Sequence, residues 1–131
     1  MEEVARGLER VRRFGIRVAR LRQCTDLLAL WCVQDRMGGS TNPDVLAFGL
    51  ESVLLEAIEG LGEGPRREAA RRLFGVVPAA RGQLVKVRRK MAADQLRMPP
   101  STFRQQHERE LLLDVAAEIV RIEIGAPRLM T

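Results

Sequence analysis

Apolar residues recur along most of this chain at steps of three and four, the spacing of helices that bury one face. From Glu2 to Arg22 the series is Val4, Leu8, Val11, Phe14, Val18 and Leu21, with Gly15 weakening its middle. A second run, Thr25 to Met37, carries Leu27, Leu28, Leu30, Trp31 and Val33 and breaks at Gly38-Gly39-Ser40. Asn42-Pro43-Asp44 predicts a helix start: Asn42 can cap free amides, Pro43 suits the first helical position, and Asp44 complements the positive helix end. That helix runs toward Leu61 on Val45, Leu46, Leu50, Val53, Leu54, Ala57 and Ile58, until Gly60, Gly62 and Gly64 interrupt it.

Pro65 then opens a short helix through Leu73 and Phe74, closed by Gly75 where a left-handed residue is favoured. Val76 to Gly82 reads as a loop and Leu84 to Leu96 as a further helix. Pro99-Pro100 cannot continue that helix, because both residues lack a backbone donor. Ser101 or Thr102 would cap the last helix, which carries Phe103, Leu111, Leu112, Val115, Ala116, Ile119, Val120 and Ile122 and is ended by Gly125 and Pro127. No alternation of period two persists for a strand's length and no long repeat is visible, so the expected fold is all-α, a multi-helix bundle.

A chain of 131 residues, 46% hydrophobic and 30% charged, suits one compact unit. Within it, residues 1–62 read as an N-terminal helical layer able to serve dimerisation, and residues 63–131 as a basic region. The longest apolar windows, Leu27 to Val33 and Leu111 to Ala117, fall far short of the roughly 20 residues a bilayer requires. Glu2 and Glu3 stand where a secretory signal would be basic. With lysine only at Lys86 and Lys90 among the 22 basic residues, the composition suits a GC-rich genome, and a soluble protein of the bacterial cytoplasm is expected. Cys24 and Cys32, eight residues apart on one helix, would lie about 12 Å apart, beyond a disulfide, and read as buried thiols. With His107 the only histidine, no zinc cage can be assembled and no metal or cofactor is expected.

Charge is distributed unevenly. Residues 1–62 hold 8 basic and 9 acidic side chains, residues 63–109 hold 12 and 4, and residues 110–131 hold 2 and 4. The whole positive excess therefore falls on the middle stretch, and a local excess of this kind favours polyanions as partners through counterion release.

Within that stretch, residues 89–108 resemble the helix-turn-helix element of bacterial DNA-binding proteins. The segment from Arg89 to Arg104 carries it: Ala93 stands where the family has a small residue at the helix crossing, Leu96, Met98 and Phe103 match its apolar contacts, and Thr102 its polar opening residue. The sequence departs from the pattern at Arg97, commonly glycine, and at Gln106, commonly apolar. The resemblance implies a helix from Ser101 entering the major groove, with Ser101, Arg104, Gln105 and Glu108 toward base edges and Lys86, Arg88, Arg89, Lys90 and Arg97 on phosphates. Glu108 and Glu110 oppose that picture electrostatically, unless Glu108 accepts from a cytosine amine. A second, longer likeness, residues 67–120, is to helical modules of uncharacterised actinobacterial proteins that accompany effector or signalling domains; it implies an adaptor that docks partners, and arginines on its face would suit an acidic protein partner.

Catalytic patterns are missing. The chain has no tyrosine, no phosphate-binding Gly-rich loop followed by Lys-Ser or Lys-Thr, no His-Glu-x-x-His and no Gly-x-Ser-x-Gly. Glu56 and Glu59 fall one turn apart on a helix, as solvated faces often provide. The expectation is a non-enzyme, either a DNA-binding regulator acting as a dimer or a protein-interaction adaptor.

Overall fold

The computed structural model describes residues 2–126, which form helices and their connections with no strand among them. The expected stop at Pro127 lies outside the described residues. Helix α1 (Glu2–Phe14) buries Val4, Ala5, Leu8 and Val11, as its periodicity requires. It does not continue to Arg22. Gly15 adopts φ 82°, and the Ile16 amide leaves the helical ladder to donate to the Phe74 carbonyl at 2.7 Å. The chain resumes as a single turn, α2 (Val18–Leu21).

The predicted helix from Thr25 to Met37 is likewise two pieces, α3 (Thr25–Leu28) and α4 (Trp31–Arg36), divided at an extended Leu30. The division exposes the first amides of α4, and a distant carboxylate takes them: Glu123 accepts from the Trp31 and Cys32 amides at 2.9 and 2.7 Å. A carboxylate is favoured there because unpaired amides and the helix dipole both present positive charge. At its other end α4 closes in a left-handed turn at Gly38, with the Gly39 amide donating to the Gln34 carbonyl at 2.8 Å.

Helix α5 (Pro43–Glu59) starts as the sequence predicts, with the Asn42 side chain accepting from the Asp44 amide at 2.9 Å. It packs against α2, α3 and α4 and buries Leu46, Ala47, Leu50, Val53, Leu54, Ala57 and Ile58. Backbones meet at Gly49, where a Cβ would stand 2.8 Å from the Val33 carbonyl oxygen, so any side chain there would push α4 and α5 apart.

Helix α6 (Pro65–Leu73) ends at Gly75 in the predicted manner, φ 73°, with the Val76 amide donating to the Arg71 carbonyl at 2.7 Å. It lies against α7 (Val85–Gln95). The chain then turns through Pro99 into a long final rod: a first turn α8 (Pro100–Thr102), a π-helical turn (Phe103–His107) and α9 (Glu108–Gly125). α9 packs on α1, α4, α5 and α6, so residues from both halves of the chain enter one apolar cluster.

Cys24 and Cys32 are free and buried. Burial, reinforced by Glu123, pushes the Cys32 thiol up to about 12, and burial also raises Cys24. Both thiols are therefore expected to resist alkylation at pH 8 in the folded protein and to react at once in denaturant; rapid labelling of the native chain would contradict this packing. For Cys32 the folded thiol titrates above its ordinary value of 9.0. Its contribution to stability is thus complete below about pH 9 and is lost as pH rises toward 12.

Candidate nucleic-acid interface

The turn between α7 and α8 is built by backbone geometry. The Met98 amide donates to the Ala93 carbonyl and the Arg97 amide to the Asp94 carbonyl, each at 3.1 Å, an arrangement that requires a left-handed residue at position 97. Arg97 supplies it at φ 55°, the one positive φ outside glycine among the described residues. Ala93 and Phe103 are fully buried in the crook, and Leu96 and Met98 pack against the core beside them. Neither Ser101 nor Thr102 caps the helix that begins at Pro100; Pro99 precedes it in an extended conformation without a side-chain bond. Since the Cβ of arginine crowds the chain in this conformation, Arg97→Gly is expected to raise stability by about 1 kcal/mol, read from the denaturation midpoint. A loss of stability would mean that the Arg97 side chain makes a contact the turn depends on.

Of the four residues expected to face base edges, Ser101, Arg104 and Gln105 are exposed and Glu108 is not. The π-helical turn is the reason. It holds one more residue than an α turn, with the Glu108 amide bonding back to the Phe103 carbonyl, so the position two α-helical turns beyond Ser101 is carried inward. Gln106, which departs from the apolar pattern, is on the outside of this turn. Inside, Glu108 bonds Arg12 through one oxygen at 2.5 Å and Arg89 through the other at 2.5 Å, with a second Arg89 contact at 3.3 Å. Arg12 comes from α1 and carried no sequence signal for this role.

Arg88 needs a second correction. Expected on a phosphate, it is 1% exposed, and its guanidinium is spent on three backbone carbonyls. Nε donates to Gln83 at 3.0 Å, Nη2 to Arg13 at 2.9 Å, and Nη1 to Leu73. Arg13 and Leu73 lie in the final turns of α1 and α6, where unpaired carbonyls present negative charge. Burial, with Arg12 and Arg89 nearby, lowers the proton affinity of the guanidinium, yet arginine stays charged in proteins.

The remaining basic residues of the 63–109 stretch divide into two groups. Arg66 pairs with Asp114; Arg67 and Arg71 with Glu59; Arg71 and Arg72 with Glu68; Arg109 with Glu9. Hydrogen bonds from Arg72 and Arg71 hold the Glu68 carboxyl below its ordinary value. Arg81, Lys86, Lys90, Arg97 and Arg104 make no ion pair among the described residues. Four of these five lie on α7, its turn and the beginning of the next helix.

Two adjoining clefts lie at that junction. One, of about 390 Å³, is lined by Lys86, Arg89, Pro100, Ser101 and Arg104. The other, about 510 Å³, is lined by Lys86, Val87, Lys90 and Pro100. No carboxylate lines either one. Sequence reasoning gave no place to Pro100, which both clefts share, or to the exposure of Leu84 and Val87 beside them. No group of three or more His, Cys, Asp or Glu side chains able to hold a metal ion occurs among the described residues. A cationic lining of this kind can attract and orient anions. No family model, curated protein or solved structure matches this chain.

Proposed function

We propose that the protein binds double-stranded DNA through the face formed by α7, its left-handed turn and the first turns of the final rod. One observation carries the reading: four of the five cations of the basic stretch that lack an acidic partner and are exposed, Lys86, Lys90, Arg97 and Arg104, are gathered at this junction, while Arg66, Arg67, Arg71, Arg72 and Arg109 of the same stretch are paired with carboxylates. Unneutralised cations that displace counterions from phosphates supply affinity for any sequence. With Glu108 and Arg88 inside the protein, base reading rests on Gln105, and the backbone term dominates.

Lys86, Lys90, Arg97 and Arg104 should give a plot of log affinity against log salt with a slope of about −3 to −4 on random duplex. Lys90→Gln or Arg97→Gln should each flatten it by about 1, equally for all sequences. Asp94 is exposed between Lys90 and Arg97, and Asp94→Asn should strengthen binding several-fold at low salt by removing a like charge from the phosphates' neighbourhood. Failure to bind duplex in dilute buffer would end the proposal. A second reading, docking of an acidic protein partner, draws on a different observation: Leu84 and Val87 are 76% and 41% exposed beside Lys86 and Lys90, an apolar surface that phosphates do not need.

A further inference from the structure

We infer that the cleft between α7 and the start of the final rod is a seat for one phosphate group, held by Lys86, Arg104, Ser101 and the free edge of Arg89. This inference rests on the anion-binding reading above but narrows it to one place and reassigns two residues. Ser101 and Arg104, expected at base edges, face a common cleft with Lys86 and Arg89. The donors suit a phosphate: two cationic side chains able to approach from separate helices, a hydroxyl, and a planar guanidinium.

Arg89 is what distinguishes the cleft from a chance meeting of surface charges. Its side chain is 16% exposed, and its Nε and Nη2 are fixed by the Glu108 carboxylate. Nη1 makes no hydrogen bond to any described residue. Glu108 is thereby a positioning residue: it holds the guanidinium plane in place and leaves one edge for a ligand. Because Arg12 also binds Glu108, that carboxylate is shared between two guanidinium groups, and the trio keeps a net positive charge beside the cleft. Lys90, lining the adjoining cleft, adds to the field.

The chemistry is that of a phosphate, and its source can be a backbone phosphodiester or a free phosphomonoester. Titration of the full chain with inorganic phosphate at low salt, monitored by backbone and arginine side-chain NMR, tests the seat. Saturable shifts confined to residues around 86–90 and 100–104 are expected, and the Arg89 side-chain N–H signals should move with the same midpoint, which a purely structural Arg89–Glu108 pair would not show. Lys86→Gln or Arg104→Gln should weaken phosphate roughly tenfold, the loss expected for one charge-assisted bond. Arg121→Gln, at an exposed arginine that lines neither cleft, should leave it unchanged.

Random duplex is the second arm. Displacement of phosphate from these resonances by duplex assigns the seat to a backbone phosphate. Phosphate binding without displacement keeps the seat, assigns it to a free phosphomonoester, and removes the DNA reading. Duplex binding without saturable phosphate shifts at the cleft, or shifts spread evenly over all surface arginines, overturns the seat and leaves the DNA reading standing.

Discussion

Arg88→Met should cost the fold about 4 kcal/mol, seen as a large fall in the urea midpoint with the slope of the transition unchanged. Methionine fills much of the volume and cannot donate. The Leu73 carbonyl would then lose its donor in a buried place, and those of Arg13 and Gln83 would lose theirs in partly buried ones. Each unsatisfied buried acceptor costs about 1–3 kcal/mol, partly offset because methionine no longer requires a buried charge. The total stability of a domain this size is commonly about 5–15 kcal/mol, so the substitution should bring the protein close to unfolding at ordinary temperature. Arg88→Lys should recover only part of the loss, because an ammonium on a flexible stem lacks the guanidinium fork that spans three carbonyls from three segments. A loss below about 1 kcal/mol for the methionine variant would show that these carbonyls find water or other donors, and that the guanidinium does not tie the ends of α1 and α6 together.

Glu108→Leu is expected to destabilise by about 3 kcal/mol, the cost of leaving guanidinium groups without their counter-charge in a partly dry site. Arg12 and Arg89 are 27% and 16% exposed and Glu108 5%, so solvent screens the pair of cations only in part. The three side chains act as one unit. In a double-mutant cycle, Arg89→Met added to Glu108→Leu should cost much less than the sum of the two single changes. Additive losses would mean that Glu108 contributes by packing alone. The proposed phosphate seat offers an independent check: Glu108→Gln raises the net charge, and if charge alone governed phosphate affinity it would bind more tightly. With Arg89 held by Glu108, the variant should instead bind phosphate more weakly, because the guanidinium loses its fixed orientation.

Much of the architecture is legible in the residue pattern. The starts of α5 and α6, their stop signals and the double-proline turn are local chemistry, and each stands where the sequence places it. The misplaced boundaries share a cause. α1 ends at Gly15 because the Ile16 amide is claimed by Phe74, and Leu30 divides α3 from α4 where Glu123 receives the freed amides. Both partners lie far along the chain, and a periodicity of three and four carries no record of them. Charge shows the same limit. Counting signs locates a basic stretch, yet most of its arginines are engaged by Glu9, Glu59, Glu68, Glu108, Asp114 or buried carbonyls, pairings that only the folded arrangement creates. Arg88 and Glu108 read as surface residues because nothing in composition separates a solvated arginine from one that binds helix-terminal carbonyls. Ser101, Arg104 and Gln105 do lie on the outside, since the first turn after Pro100 precedes the irregularity that moves Glu108.

The π-helical turn sets a phase. Successive residues of a helix advance by about 100° around its axis, so the additional residue held between Phe103 and His107 rotates α9 against the first turn of the rod by about that angle. One rod can thereby present a cationic end outward and still aim Leu111, Leu112, Val115, Ala116 and Ile119 at the interior. Shortening the chain by a single residue in this turn would force those two demands into conflict: either the apolar stripe would swing toward water, or Ser101 and Arg104 would rotate out of line with Lys86.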